Sequence, residues 1–211
     1  VYGNPARVPV AEDDPTIPMS PYGSSKLMTE VMLRDAGTAY GLKSVALRYF
    51  NVAGLDPQGR TGLWREGATH LIKVACETAL GKRGHMEVFG TDYPTADGTC
   101  VRDYIHVTDL VRAHMAALRH LRAGGQSEVF NCGYSKGFSV LQVIEAVKRT
   151  SGADFEVRLS PRRAGDPAMI VAASDKIRMH LGWRPEFDSL ETITVQALAW
   201  EAHLQQFKHA S

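Results

Sequence analysis

Apolar positions along the chain fall into short runs separated by stretches rich in Gly, Pro and Asp. The period of each run sets the element it predicts. The opening V-Y-G reads as the end of a strand. Residues 4–19 carry Pro5, Pro9, Pro15 and Pro18, with Glu12, Asp13 and Asp14 between them, and read as a loop. Ser20 suits a helix N-cap and Pro21 the first helical position, where a missing N–H costs nothing. A helix is predicted over 21–40, with Leu27, Val31 and Ala39 among its apolar positions and Gly41 as its stop. S-V-A-L-R-Y-F (44–50) predicts a strand, and the Gly-, Pro- and Asp-rich stretch after it a long loop. Further strands are predicted at 86–89, 104–107, 127–133 and 155–159. Helices are predicted at 68–80, 109–121, 140–150 (capped by Ser139), near 174–181, and at 189–206. Strands alternating with helices imply an α/β protein with parallel pairing. The short strands and long loops after residue 55 suggest a smaller α+β lobe.

With 211 residues and 44% apolar content, the chain can bury a sizeable core. Its 24 basic and 23 acidic residues nearly cancel, so no electrostatic footprint for nucleic acid is present. No run of 18 apolar residues occurs and no signal-peptide pattern opens the chain, so neither a membrane span nor export is expected. Cys76, Cys100 and Cys132 are widely spaced and form no C-x-x-C pair. The eight histidines form no H-x-x-x-H pair. No metal site or disulfide framework is expected, and a reducing, cytoplasmic setting fits best.

The chemistry-bearing candidate is S-P-Y-G-S-S-K, residues 20–26. On a helix, Tyr22 and Lys26 at i and i+4 share one face. A tyrosine is ordinarily a poor base near neutral pH, and a neighbouring ammonium favours the phenolate. Such a pair can take a proton from an alcohol while hydride leaves the same carbon. Alone, the spacing also fits an ordinary helix start. Arg102 could simply pair with Asp103 or Asp109, and Arg162–Arg163 could be a solvated pair. Tyr49 and Phe89 could be core residues, and His106 a satisfied structural histidine.

Context extends the picture. V-Y-G, S-P-Y-G-S-S-K-L-M-T-E and A-L-R-Y-F-N-V-A-G stand in the order of the extended short-chain dehydrogenases/reductases. F-G-T-D-Y-P-T-A-D-G-T-C-V-R-D-Y-I-H-V-T-D-L (89–110) and P-R-R-A-G-D-P (161–167) resemble the UDP-glucose 4-epimerase family. The resemblance implies residues 1–55 as the remainder of a Rossmann-like NAD-binding domain. It implies residues 56–211 as mainly a nucleotide-sugar-binding lobe, with some segments returning to the first domain. It further implies NAD as cofactor, a UDP-sugar as substrate, C4 epimerisation through a 4-keto intermediate, and frequent homodimers.

Residue by residue, Tyr22 matches the proton-exchanging tyrosine and Lys26 the lysine that binds the nicotinamide ribose. Tyr49 and Phe50 match the strand end beside the nicotinamide, and Asn51 a substrate-binding asparagine. His70 and Leu71 fall where the family contacts the nucleotide-sugar. Glu87, Val88 and Phe89 match the strand flanking the uracil. Arg102 and Arg163 match arginines that grip the diphosphate, and Asp166 a residue on the uridine ribose. Ile170 falls where members differ over N-acetylated sugars, and Ala173 departs from a common Asp.

The glycine-rich fingerprint of this family's first βα turn does not occur in these 211 residues, nor does the serine or threonine expected before V-Y-G. The chain is therefore expected to be about the C-terminal three-fifths of such an enzyme and inactive alone. Alternatives are a non-catalytic UDP-sugar-binding remnant and a related nucleotide-sugar dehydratase or decarboxylase.

Overall fold

The computed structural model describes residues 1–65 and 67–210, with side chains described through residue 206. Its elements in chain order begin with α1 (Pro21–Tyr40), β1 (Val45–Tyr49), β2 (Asn51–Ala53), α2 (Leu71–Ala79) and β3 (Met86–Phe89). They continue with β4 (Val101–His106), α3 (Val107–Arg122), β5 (Glu128–Cys132), β6 (Gly137–Ser139) and α4 (Val140–Ser151). The chain closes with β7 (Val157–Ser160), β8 (Met169–Ile170), α5 (Asp175–Leu181) and α6 (Leu190–Ala210).

The architecture is mixed α/β. β1 pairs with β5, β2 with β4 and β3 with β7, all in parallel. β4 also pairs antiparallel with β6 and parallel with β8. The caps legible in the sequence form: the Ser20 hydroxyl accepts from the Gly23 amide at 3.1 Å, and Gly41 ends α1 at φ 70°. Ser139 and Gln142 form a reciprocal capping box at the start of α4.

Four local expectations are corrected. Val1–Gly3 forms no strand: it has no ladder partner, and Tyr2 is held instead by its hydroxyl on Asn131 Oδ1 at 2.6 Å. Residues 51–53, read as loop, are β2; the chain leaves β5 after Tyr49, turns at Phe50 and joins β4 with Asn51 opposite Tyr104. β4 begins at Val101 rather than 104, because Arg102 and Asp103 have ladder partners in Phe138 and Gly137. β6 and β8 were not expected; they are two or three residues long and exist only through that pairing.

The core joins Ile72 and Cys76 of α2, Ile105 of β4, Phe130 of β5, Val143 and Val147 of α4, Ile177, Trp183 and Ile193. Each side chain buried here removes apolar surface from water at about 25 cal/mol per Å2. Two buried carboxylates tie separate segments to this core. Asp103 accepts from the amides of Tyr134 (2.9 Å), Ser135 (3.1 Å) and Ala172 (3.2 Å). Burial pushes its carboxyl up to about 6 against the pull of those N–H groups. A Cβ on Gly133 would lie 2.6 Å from Asp103 Oδ2, so glycine permits this close approach. Asp109 accepts from the Tyr134 hydroxyl (2.6 Å) and from the amides of Glu186 (3.0 Å) and Phe187 (2.9 Å).

His106 is a satisfied structural histidine. Its Nδ1 accepts from the Thr108 amide at 3.1 Å, its Nε2 meets Gln196, and its ring stacks on Phe187 at 4.5 Å. Among the described residues, no helix is long and apolar enough to cross a membrane, and no group of His, Cys, Asp and Glu could hold a metal ion. All three cysteines are free and buried.

Candidate functional site

A cleft of about 640 Å3 opens where β2, the start of α2, β3, β4 and the 161–167 loop meet. Of the nine residues assigned to the nucleotide-sugar, eight line it: Asn51, His70, Leu71, Glu87, Phe89, Arg102, Arg163 and Asp166. Strand periodicity explains the ninth. On β3, Glu87 and Phe89 face the cleft, whereas the Val88 side chain is fully buried in the core.

Each wall has a local cause. Asn51 is the first residue of β2, placed by the turn at Phe50. His70 is the N-cap residue of α2, and Leu71 opens that helix. Arg102 alternates with the buried Asp103 along β4, so the ladder aims its side chain away from the core. Its Nη1 donates to the Val101 carbonyl at 2.9 Å, and its Nη2 lies 3.7 Å from Asp166 Oδ1. Arg102 therefore pairs with Asp166, not with Asp103 or Asp109. The Arg163 guanidinium carbon sits 3.7 Å from the centre of the Phe89 ring.

Burial keeps the His70 imidazole below the usual histidine range, against the opposing pull of its ring's hydrogen bond to the Val52 backbone. Its Nε2 is buried with no partner among the described residues. A neutral imidazole presents a lone pair at such a nitrogen, so it can accept a hydrogen bond.

Arg83 also lines the cleft, and sequence reasoning missed it. Its Nε donates to Glu77 Oε2 at 2.6 Å, a tether with no local sequence signal beyond the basic pair after α2. Arg83, Arg102 and Arg163 bring guanidiniums to the cleft from three segments, with Glu77 already pairing Arg83. Two guanidiniums from different segments can clamp phosphate oxygens by charge-assisted forked bonds. Phe89 adds an aromatic face for a planar group.

The remaining assigned residues lie elsewhere. Tyr22 stands in the first turn of α1 and is 70% exposed, with Lys26 Nζ 5.3 Å from its ring centre. The structure thus brings the proposed base and its lysine together on one open helix face. Tyr49 closes β1 half exposed, followed by the half-buried Phe50. None of these four lines the cleft. α1 is fastened to β1 by Arg48, whose Nε and Nη2 reach the two Glu30 oxygens at 2.9 and 2.7 Å.

The model of the NAD dependent epimerase/dehydratase family matches residues 1–133. A UDP-glucose 4-epimerase of Azospirillum brasilense is 57% identical over 206 residues, covering 98% of this chain and 59% of that protein. The crystal structure of UDP-glucose 4-epimerase from Brucella ovis in complex with NAD superposes with a TM-score of 0.90 at 42% identity, covering 94% of this chain and 61% of that one. The enzyme from Bifidobacterium longum in complex with NAD+ and UDP gives a TM-score of 0.91 at 37% identity, covering 96% of this chain and 61% of that one. The chain thus spans about three-fifths of the length of these relatives.

Proposed function

Because this chain belongs to the NAD dependent epimerase/dehydratase family, we propose that it forms the nucleotide-sugar-binding part of an enzyme that interconverts UDP-glucose and UDP-galactose at C4. The observation that carries this reading is the convergence of eight assigned residues, from separate segments, on one cleft. Arg102 and Arg163 hold the diphosphate, Phe89 and Glu87 flank the uracil with the Val88 backbone between them, and Asp166 accepts from a ribose hydroxyl. Asn51, His70 and Leu71 line the path toward the sugar.

The residues present fit the nicotinamide end of NAD: Tyr22 and Lys26 share one exposed helix face, where a ribose hydroxyl can reach the lysine. Tyr49 and Phe50 at the end of β1 complete that end of the reading. Bound NAD supplies reversible acceptance of hydride from sugar C4. Tyr22 takes the 4-hydroxyl proton and later returns it, so the sugar passes through a 4-keto form and the reaction is redox-neutral. Lys26 holds positive charge beside Tyr22, which favours the phenolate during that exchange. Homodimerisation and a cytoplasmic setting belong to the same reading; the exposed Met28 and Met32 on α1 support a covered helix face.

Calorimetric titration of the 211-residue chain with UDP and with NAD tests this. UDP binding that Arg102→Ala abolishes supports the cleft assignment, and no UDP binding by the unaltered chain overturns it. Conversion of UDP-galactose to UDP-glucose with added NAD is expected to be absent for this chain alone, and clear turnover would refute that expectation. A second reading, UDP-sugar binding without catalysis, is favoured by the cleft's lining, which includes none of Tyr22, Lys26, Tyr49 and Phe50. UDP binding without NAD binding supports it.

A further inference from the structure

Side chains lining the cleft contact one another. Arg163 covers the Phe89 ring at 3.7 Å, a face-contact distance. Arg102 leans toward Asp166 at 3.7 Å. Arg163 and Asp166 belong to the same short loop, so one segment makes both internal contacts. Tyr104, the other phenol or phenyl ring lining the cleft, is only 2% exposed and offers no face. Among the described residues, Phe89 is therefore the phenyl face that the cleft offers a planar base, and Arg163 covers it.

We propose that Arg163 is a specificity gate on Phe89, released by a diphosphate, so that the cleft admits a pyrimidine nucleoside diphosphate and rejects the bare nucleoside. The proposal rests on the nucleotide reading given above. A nucleoside alone must displace the guanidinium and gives it no new partner. A diphosphate gives Arg163 charge-assisted bonds in exchange for the ring face. The same exchange moves Arg102 from Asp166 to phosphate and leaves the carboxylate able to accept from a ribose hydroxyl. Base stacking and phosphate capture are thereby coupled through one side chain.

The test is titration of the 211-residue chain with uridine and with UDP, before and after Arg163→Ala. The gate requires opposite signs. Uridine binding should tighten roughly two- to thirty-fold once the ring face is freed, whereas UDP binding should weaken roughly ten- to a hundred-fold. Uridine affinity that stays constant or falls in the variant would overturn the gate and leave Arg163 a phosphate ligand only, with the nucleotide reading intact. Absence of UDP binding by the unaltered chain would overturn both. Phe89→Leu supplies the control: in that background Arg163→Ala should no longer improve uridine binding, and persistence of the gain would also reject the gate.

Discussion

Replacing Tyr134 by Phe removes one oxygen from a buried polar cluster. The Tyr134 hydroxyl donates to Asp109 Oδ2 at 2.6 Å and accepts from the His106 amide at 2.9 Å. Burial and the adjacent Asp109 push this hydroxyl far above the ordinary tyrosine range, so it stays a protonated donor. The ring packs equally well in the variant, so the change isolates the two hydrogen bonds. Loss of a bond to a buried carboxylate costs about 1.5–3 kcal/mol, and the orphaned His106 N–H about 1–3 kcal/mol more. The total of about 2.5–6 kcal/mol corresponds to a fall in Tm of about 5–24 °C for a chain of this size. Urea unfolding of both proteins, followed by tryptophan fluorescence, reads the difference directly, because Trp183 donates its indole N–H to the Asp109 carbonyl at 2.9 Å. A loss below about 1 kcal/mol would show that water or a rearranged donor satisfies both groups and would refute the reasoning.

Three further outcomes are expected. Gly54 adopts φ 75°, and an added Cβ would sit 2.3 Å from the His106 ring, so Gly54→Ala should cost about 2–5 kcal/mol in urea unfolding. Lys73 is buried against Glu201 and lies 3.3 Å from Glu77, while Lys82 (3.2 Å) and Arg83 (2.6 Å) pair those same carboxylates; Lys73→Met should therefore cost about 1–3 kcal/mol in the same assay, and a loss of about 3–5 kcal/mol, the cost of a stranded buried charge, would contradict this. His70 has a folded pKa lowered by burial, so between that value and about 6.5 the unfolded chain binds more protons and stability is lost as pH falls. His70→Asn lacks this term, so the Tm of the unaltered chain should drop relative to the variant between pH 7 and pH 5; a constant difference would contradict it.

Much of this is legible in the sequence. The caps of α1 and α4 were readable because Ser20, Pro21, Gly41 and Ser139 act through their own few neighbours. Eight cleft residues were placed by resemblance, and alternation along β3 then distinguishes Phe89 from Val88. What stayed hidden depends on distant partners. β2, β6 and β8 are too short to show a period and exist through β4. Asp103 and Asp109 look like surface carboxylates until the amides of Tyr134, Ala172 and Phe187 close on them. Arg83 enters the cleft because Glu77, a turn and a half away, holds its guanidinium.

β4 bears on how this segment can change over evolutionary time. It is read by three neighbours at once: Val101–Asp103 by β6, Val101 and Arg102 by β8, and Tyr104–His106 by β2. Because side chains alternate, inserting or deleting a single residue within 101–106 exchanges the two sides. Arg102 would turn into the core, and Asp103 would leave the amides it satisfies. Residues here can be substituted one at a time, but the segment's length is fixed, and insertions that build new specificity must enter elsewhere, as in the 161–167 loop, where no ladder counts residues.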